Sequence, residues 1–192
     1  MKTIRMIGLM AAPALLVACN AAGDGNGEPA GAAAGKSPIT PAEVESAHKA
    51  WGEGIVTIGK TFIEKGDHRQ AATDHIDRFY AYDMSDTVLF KPTLAAETQF
   101  RGSEEAALDY FVGKEGTEDK GFALAPYTNV RWENEGTVID EDGDKAVAMG
   151  NYYFTGPDGN ETKVEYTFGY VKDDAGNLKI TVHHSSLPFS GG

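Results

Sequence analysis

Four consecutive polar residues near the C-terminus, His183-His184-Ser185-Ser186, form the densest cluster of reactive side chains in the sequence, and Leu187-Pro188 follows directly. A neutral imidazole can take up a proton near pH 7. A serine hydroxyl both accepts and donates. Side by side in a partly apolar pocket, the two types are equipped for proton transfer. Leu178 to Ser186 reads as a strand, and neighbours on a strand point to opposite faces. The cluster therefore divides into His183 with Ser185 and His184 with Ser186. Leu178, Ile180 and Val182 share parity with His184 and Ser186, so an apolar inner face would carry the second pair into the pocket. One inserted residue near the strand end would reverse this. The competing reading is a hydrogen-bonded polar strand end or an interface between copies.

The remaining polar signals are weaker. A catalytic zinc needs three protein ligands converging on one point. The five histidines are His48, His68, His75, His183 and His184, with no His-x-His pair, and adjacent His183 and His184 diverge on a strand. Local spacing therefore disfavours zinc, leaving only convergence of His48 or His75 through the fold. Asp67-His68 and Asp74-His75 lie two helical turns apart and read as a solvated face. The acidic run Asp140 to Asp144 lacks the twelve-residue calcium loop with its terminal Glu and reads as a hairpin turn.

Helices come first in the elements that must position these residues. Thr40-Pro41-Ala42-Glu43 combines a cap, a first-turn proline and a capping box. Val44, Ala47, Trp51, Ile55, Ile58 and Phe62 then recur at steps of three or four, which predicts a long amphipathic helix ending near Gly66. A second helix is expected from about His68 to Tyr80, with Ala72, Ile76 and Phe79 on one face. Thr87 to Lys91 is a strand candidate stopped by Pro92. Gln99 to Arg101 reads as a short extended piece, and Ser103-Glu104-Glu105 opens a short helix closed by Gly113. Strands are expected at Tyr127 to Val138, Lys145 to Thr155, Thr162 to Lys172 and Leu178 to Ser186, separated by Asp/Gly/Asn turns. Helices followed by a meander predict an α+β fold: a cone of the nuclear-transport-factor-2-like (NTF2-like) kind, with the N-terminal helices packed on a curved antiparallel sheet.

Composition narrows the function classes. The 192 residues carry a formal net charge of −12, which argues against nucleic acid as a partner. Aromatic content of 10% argues against a wholly disordered chain. A single cysteine excludes an internal disulfide framework. Residues 1–18 hold Lys2 and Arg5, no acid, and an apolar run from Met6 to Ala18 that is short for a membrane span. They read as a secretory signal. Leu16-Val17-Ala18-Cys19 resembles the lipobox of bacterial lipoproteins, in which the chain is cut before the cysteine and the thiol is lipidated. Such cleavage takes the net charge from −12 to −14, since two cations leave and no acid does. The expected organisation is a signal over 1–18, a lipidated Cys19 with a Gly/Ala-rich linker over 19–39, and a folded domain over 40–192. That places the protein in the cell envelope, anchored to a membrane through Cys19 on the periplasmic side. Asn20, standing where Asp would signal inner-membrane retention in some bacteria, points to the outer membrane.

Several segments together resemble the iota-class carbonic anhydrases, relatives of the association domain of calcium/calmodulin-dependent kinase II. These are His183-His184-Ser185-Ser186 with the following apolar residue and Pro188; Leu89-Phe90-Lys91-Pro92-Thr93; Gln99-Phe100-Arg101; Ala107 to Gly113; Glu118 to Ala123; and Trp51 to Gly59. The resemblance implies reversible hydration of carbon dioxide to bicarbonate. It implies a small funnel lined by Thr93, Tyr110, one of His183 and His184, and one of Ser185 and Ser186. On this reading no metal is needed. The histidine is the base, directly or through serine, while Tyr110 and Thr93 donate to the developing bicarbonate oxygen. It also implies a homodimer through the outer sheet face. Tyr152, Tyr153, Phe154, Tyr166, Phe168 and Tyr170 supply aromatics on both faces of the central strands, more than one core requires, which suits a sheet-to-sheet interface; the alternative is that they line the pocket and core. The alternative is a non-catalytic NTF2-like ligand-binding or oligomerisation module of the envelope.

Overall fold

The computed structural model describes residues 36–85 and 87–191. The expected signal, Cys19 and most of the linker lie outside them. The first helix, α1 (Pro41–Ile63), starts as its sequence requires. The Thr40 hydroxyl accepts from the Glu43 amide at 3.3 Å, and the Glu43 carboxylate accepts from the Thr40 amide at 2.7 Å. Val44, His48, Trp51, Ile55 and Ile58 form its buried face, whereas Phe62, at the end of the predicted stripe, is exposed. Helix α2 (His68–Phe79) is capped by Asp67 and buries Ala72, His75, Ile76 and Phe79. The solvated-face reading therefore fails at His75, because helical phase sets it beside Ile76 and Phe79 on the covered side. Helix α3 (Glu104–Val112) is capped by Ser103 and ends at Gly113, whose φ of 82° is in the left-handed region glycine tolerates. A single 3-10 turn over Phe122–Leu124, which carries no periodic signal, packs under α1. Gly59 permits that approach, since a Cβ there would lie 2.4 Å from the Ala125 carbonyl.

Among the described residues, five strands form one sheet in the order β1-β5-β4-β3-β2. They are β1 (Leu89–Lys91), β2 (Asn129–Ile139), β3 (Lys145–Thr155), β4 (Glu161–Lys172) and β5 (Leu178–Ser186). The last four pair antiparallel as consecutive hairpins, as expected. The sheet is nevertheless mixed, because β1 pairs parallel with β5, Phe90 opposite His183. A strand preceding the meander has no hairpin to set its direction, so sequence order leaves its pairing open. Gln99 to Arg101 forms no strand, but Arg101 N–H bonds the Phe90 carbonyl at 2.8 Å and so lies alongside β1.

Helices α1 and α2 cover one face of the sheet. Tyr152, Phe154, Tyr166, Phe168 and Tyr170 are buried on that inner face. Of the six aromatics expected over both faces, only Tyr153 lies on the outer face; alternation along β3 and β4 sends the other five inward, where they line core and pocket. Residues 36–39 are packed against the domain. Ile39 is buried and its amide bonds the Gly143 carbonyl, while Lys172 Nζ donates to the carbonyls of Ser37 and Pro38 and to Glu43.

Candidate active site

A cavity of about 110 Å³ opens between β1, β5, the inner face of the hairpins and α3. Its walls are mainly aromatic and aliphatic, with Phe90, Phe111, Phe122, Phe154 and Val164 among them. Thr93, Tyr110, Tyr152, His183 and Ser185 bring polar atoms to it. Leu94 and Leu187 sit at its exposed rim. This is the general composition of a small-molecule site, apolar walls with a few placed polar groups.

Each polar residue arrives by a different route. Thr93 follows Pro92, which ends β1 and turns the chain over the cavity. Tyr110 projects from α3, braced behind its ring by the buried Arg101 guanidinium at 5.9 Å. Arg101 is itself held by Asp119 at 2.6 Å and by Glu118 at 3.5 Å. Glu118 accepts the backbone amides of Ala96, Glu97 and Thr98 at 2.8, 3.0 and 2.8 Å, which ties the Thr93 loop to the segment after α3. These three amides hold the Glu118 carboxyl down at about 2.

His183 and Ser185 face the cavity; His184 is exposed, and Ser186 donates to Glu165 at 3.1 Å on the far side. The parity expectation is thus reversed. Gly169 pairs with Val182 and Tyr170 with Ile180, leaving Thr181 as the extra residue of a bulge in β5. Beyond it, side-chain direction is inverted relative to Ile180.

Two tyrosine hydroxyls meet the imidazole. His183 Nδ1 lies 2.8 Å from Tyr80 Oη, and Nε2 lies 3.4 Å from Tyr152 Oη. Trp51 Nε1–H donates to Tyr80 Oη at 3.2 Å. Thr93 Oγ1 donates to Ser185 Oγ at 2.9 Å, and both hydroxyls also lie against Tyr152. The His183 ring stacks on Phe90 at 4.6 Å and meets Phe168 edge-on at 4.2 Å. Burial, together with the neighbouring His184 and His75, pushes the His183 pKa well below that of a free imidazole, so the ring is neutral. Burial pushes the Tyr110 and Tyr152 hydroxyls upward, so both stay protonated donors.

Sequence reasoning carried Thr93, Tyr110 and both pairs, His183 with Ser185 and His184 with Ser186, and missed Tyr80 and Tyr152. Tyr152 stood among the aromatics weighed for an interface or for the core and pocket, with no catalytic role. Tyr80 ends a helix, and nothing in its spacing links it to β5. Among the described residues, no three His, Cys, Asp or Glu side chains converge to hold a metal ion. His48 stacks on Trp132 at 4.4 Å, while His75 is enclosed by Trp51, Phe79 and Phe111. Neither joins His183 in a ligand set.

The architecture is shared with a kinase II association domain from Xanthomonas campestris. The TM-score is 0.53 at 22% identity, over 80% of this chain and 94% of that one, which defines the class of fold. Residues 42–187 match the model of the metal-independent carbonic anhydrases, and the chain belongs to that family. A metal-independent carbonic anhydrase of the cyanobacterium Nostoc is 44% identical over 156 residues, covering 79% of this chain and 75% of that protein. The crystal structure of a cyanobacterial iota-carbonic anhydrase complexed with bicarbonate superposes with a TM-score of 0.77 at 40% identity, over 84% of this chain and 99% of that chain.

Proposed function

We propose that this protein interconverts carbon dioxide and bicarbonate in the cavity between β1, β5 and α3, without a metal ion. One observation carries the reading: in a member of this family, Thr93, Tyr110, Tyr152 and Ser185 meet on one small, mostly apolar cavity. Carbon dioxide has no net dipole and suits the aromatic walls. A water held by Ser185 and Thr93 attacks its carbon. As the new C–O bond forms, one C=O electron pair moves onto oxygen, and the charge is met by the Tyr110 and Tyr152 hydroxyls, pre-placed donors in a water-poor site. The proton lost by the water passes along the serine and threonine hydroxyls to solvent at the mouth, so carbon dioxide and water give bicarbonate and a proton. Among the described residues, no Lys or Arg lines the cavity. Bicarbonate is therefore held by neutral donors alone and can leave.

Oxygen-isotope exchange from labelled carbon dioxide, followed by inlet mass spectrometry with a chelator present, tests the reading. Exchange above the buffer rate is expected. Ser185→Ala should lower it by about tenfold or more, and His184→Ala should leave it within about twofold because that side chain is exposed. Exchange at the buffer rate would overturn the proposal.

The same reading includes anchorage in the envelope by lipid at Cys19, supported by the Leu16-Val17-Ala18-Cys19 pattern, with outer-membrane residence supported by Asn20. It also includes a homodimer through the outer sheet face. There Val138 pairs with Val147, and both are exposed, as is Met149.

A further inference from the structure

The geometry points to Tyr80 as a positioning residue that fixes the proton of His183 on Nε2, making the imidazole a hydrogen-bond donor to Tyr152 and not the base of the reaction. This rests on the cavity being the reaction site. Tyr80 and Trp51 lie behind His183, and the sequence associates neither with it.

The argument is a count of protons and lone pairs. An indole N–H can only donate. Trp51 Nε1–H therefore uses one lone pair of Tyr80 Oη, at 3.2 Å. Tyr80 has one hydroxyl hydrogen to place, and its other hydrogen-bond partner among the described residues is His183 Nδ1, at 2.8 Å. If Nδ1 carried the ring proton, two N–H groups would point at one oxygen and the tyrosine hydrogen would have no acceptor. Tyr80 is 1% exposed, so bulk solvent does not supply one. The arrangement that satisfies every atom has Tyr80 O–H donating to an unprotonated Nδ1. A neutral imidazole then carries its proton on Nε2, which faces Tyr152 Oη at 3.4 Å.

The polarity of the chain follows. Trp51 donates to Tyr80, Tyr80 to His183 and His183 to Tyr152, which frees the Tyr152 hydrogen for Ser185, Thr93 or an oxygen of the substrate. Each member offers a donor to the next, and the chain ends at the place where negative charge develops on hydration. The arrangement favours an anionic oxygen in the cavity. The imidazole lone pair, the one basic site on the ring, is turned away from the cavity and occupied.

Nitrogen-15 NMR of histidine-labelled protein, with His183→Gln to assign the signal, reads the tautomer directly. The wild type is expected to show an unprotonated Nδ1 and a protonated Nε2 for His183 at pH 7. Tyr80→Phe removes the hydrogen aimed at Nδ1 and leaves Nε2–H its partner at Tyr152. It should keep the tautomer, move the Nδ1 signal downfield toward that of a lone pair with no donor, and lower kcat by about tenfold, with KM within about twofold. A wild-type His183 protonated at Nδ1 would overturn the inference, even if the variant does not fold. So would an unchanged Nδ1 signal in Tyr80→Phe. The wild-type spectrum needs no turnover, so an inactive protein overturns the carbonic anhydrase reading, whereas a wrong tautomer overturns this one.

Discussion

His48, His75 and His183 are all buried, and two of them lack hydrogen-bond partners: His48 at Nε2 and His75 at both ring nitrogens. Burial brings the His48 pKa down to about 4, and burial with the nearby Arg78 brings that of His75 down to about 3. Room for the His75 ring comes from Gly54, where a Cβ would lie 2.1 Å from Nδ1. A histidine whose folded pKa is depressed binds its proton in the unfolded chain first. Its contribution to stability is complete above the unfolded value near 6.5 and is lost as pH falls toward the folded value. Each of the three should cost about 1.4 kcal/mol per pH unit in that window. Urea unfolding at pH 7 and pH 5 should therefore show a clearly lower midpoint at pH 5. Equal midpoints would show that these imidazoles are not enclosed.

Two elements decide which atoms reach the cavity. The β5 bulge at Thr181 turns His183 and Ser185 inward. The Glu118 clamp holds the loop that carries Thr93. Three amides converging on one carboxylate make this loop more ordered than its lack of secondary structure suggests. Glu118→Ala should free the loop and lower kcat/KM by about tenfold to a hundredfold, since small misplacements of positioning groups are costly. Amide exchange at Ala96, Glu97 and Thr98 should quicken in parallel. Unaltered amide exchange in the variant would show that the loop is held by other contacts. The elements themselves were largely legible. The box at Thr40 and Glu43, the helix start at Ser103, and the turn residues between hairpins are local signals, and β3 and β5 fall on their expected ranges. The parallel pairing of β1 and the bulge were not legible, because neither is set by residues adjacent in the chain.

At the scale of the whole molecule, the proposed association and anchorage would set where carbon dioxide meets the site. The outer sheet face carries Val138, Val147 and Met149 beside an Arg131–Glu133–Glu161 charge cluster. Sedimentation of the wild type should give twice the chain mass, and Met149→Glu should return it to the monomer by placing a charge in the contact. Detergent phase partitioning of the full chain should follow Cys19. Expressed with its signal in a Gram-negative host, the wild type should enter the detergent phase and Cys19→Ser the aqueous phase. Equal partitioning of the two would remove the lipid anchor from the account.

Fold class and the order of helices and strands were present in the sequence, because caps, periodicity and turns act over a few residues; the candidates Thr93, Tyr110, His183 or His184, and Ser185 or Ser186 came with the family resemblance. Tertiary structure alone chose His183 over His184 and Ser185 over Ser186. It alone brought Tyr80 and Trp51 behind the imidazole and paired β1 with β5. Those choices depend on one extra residue in a ladder and on donors separated by up to 132 positions in the chain, Trp51 to His183. Hydrogen-bond direction is settled only when every buried donor and acceptor is in place, and no local pattern encodes that count.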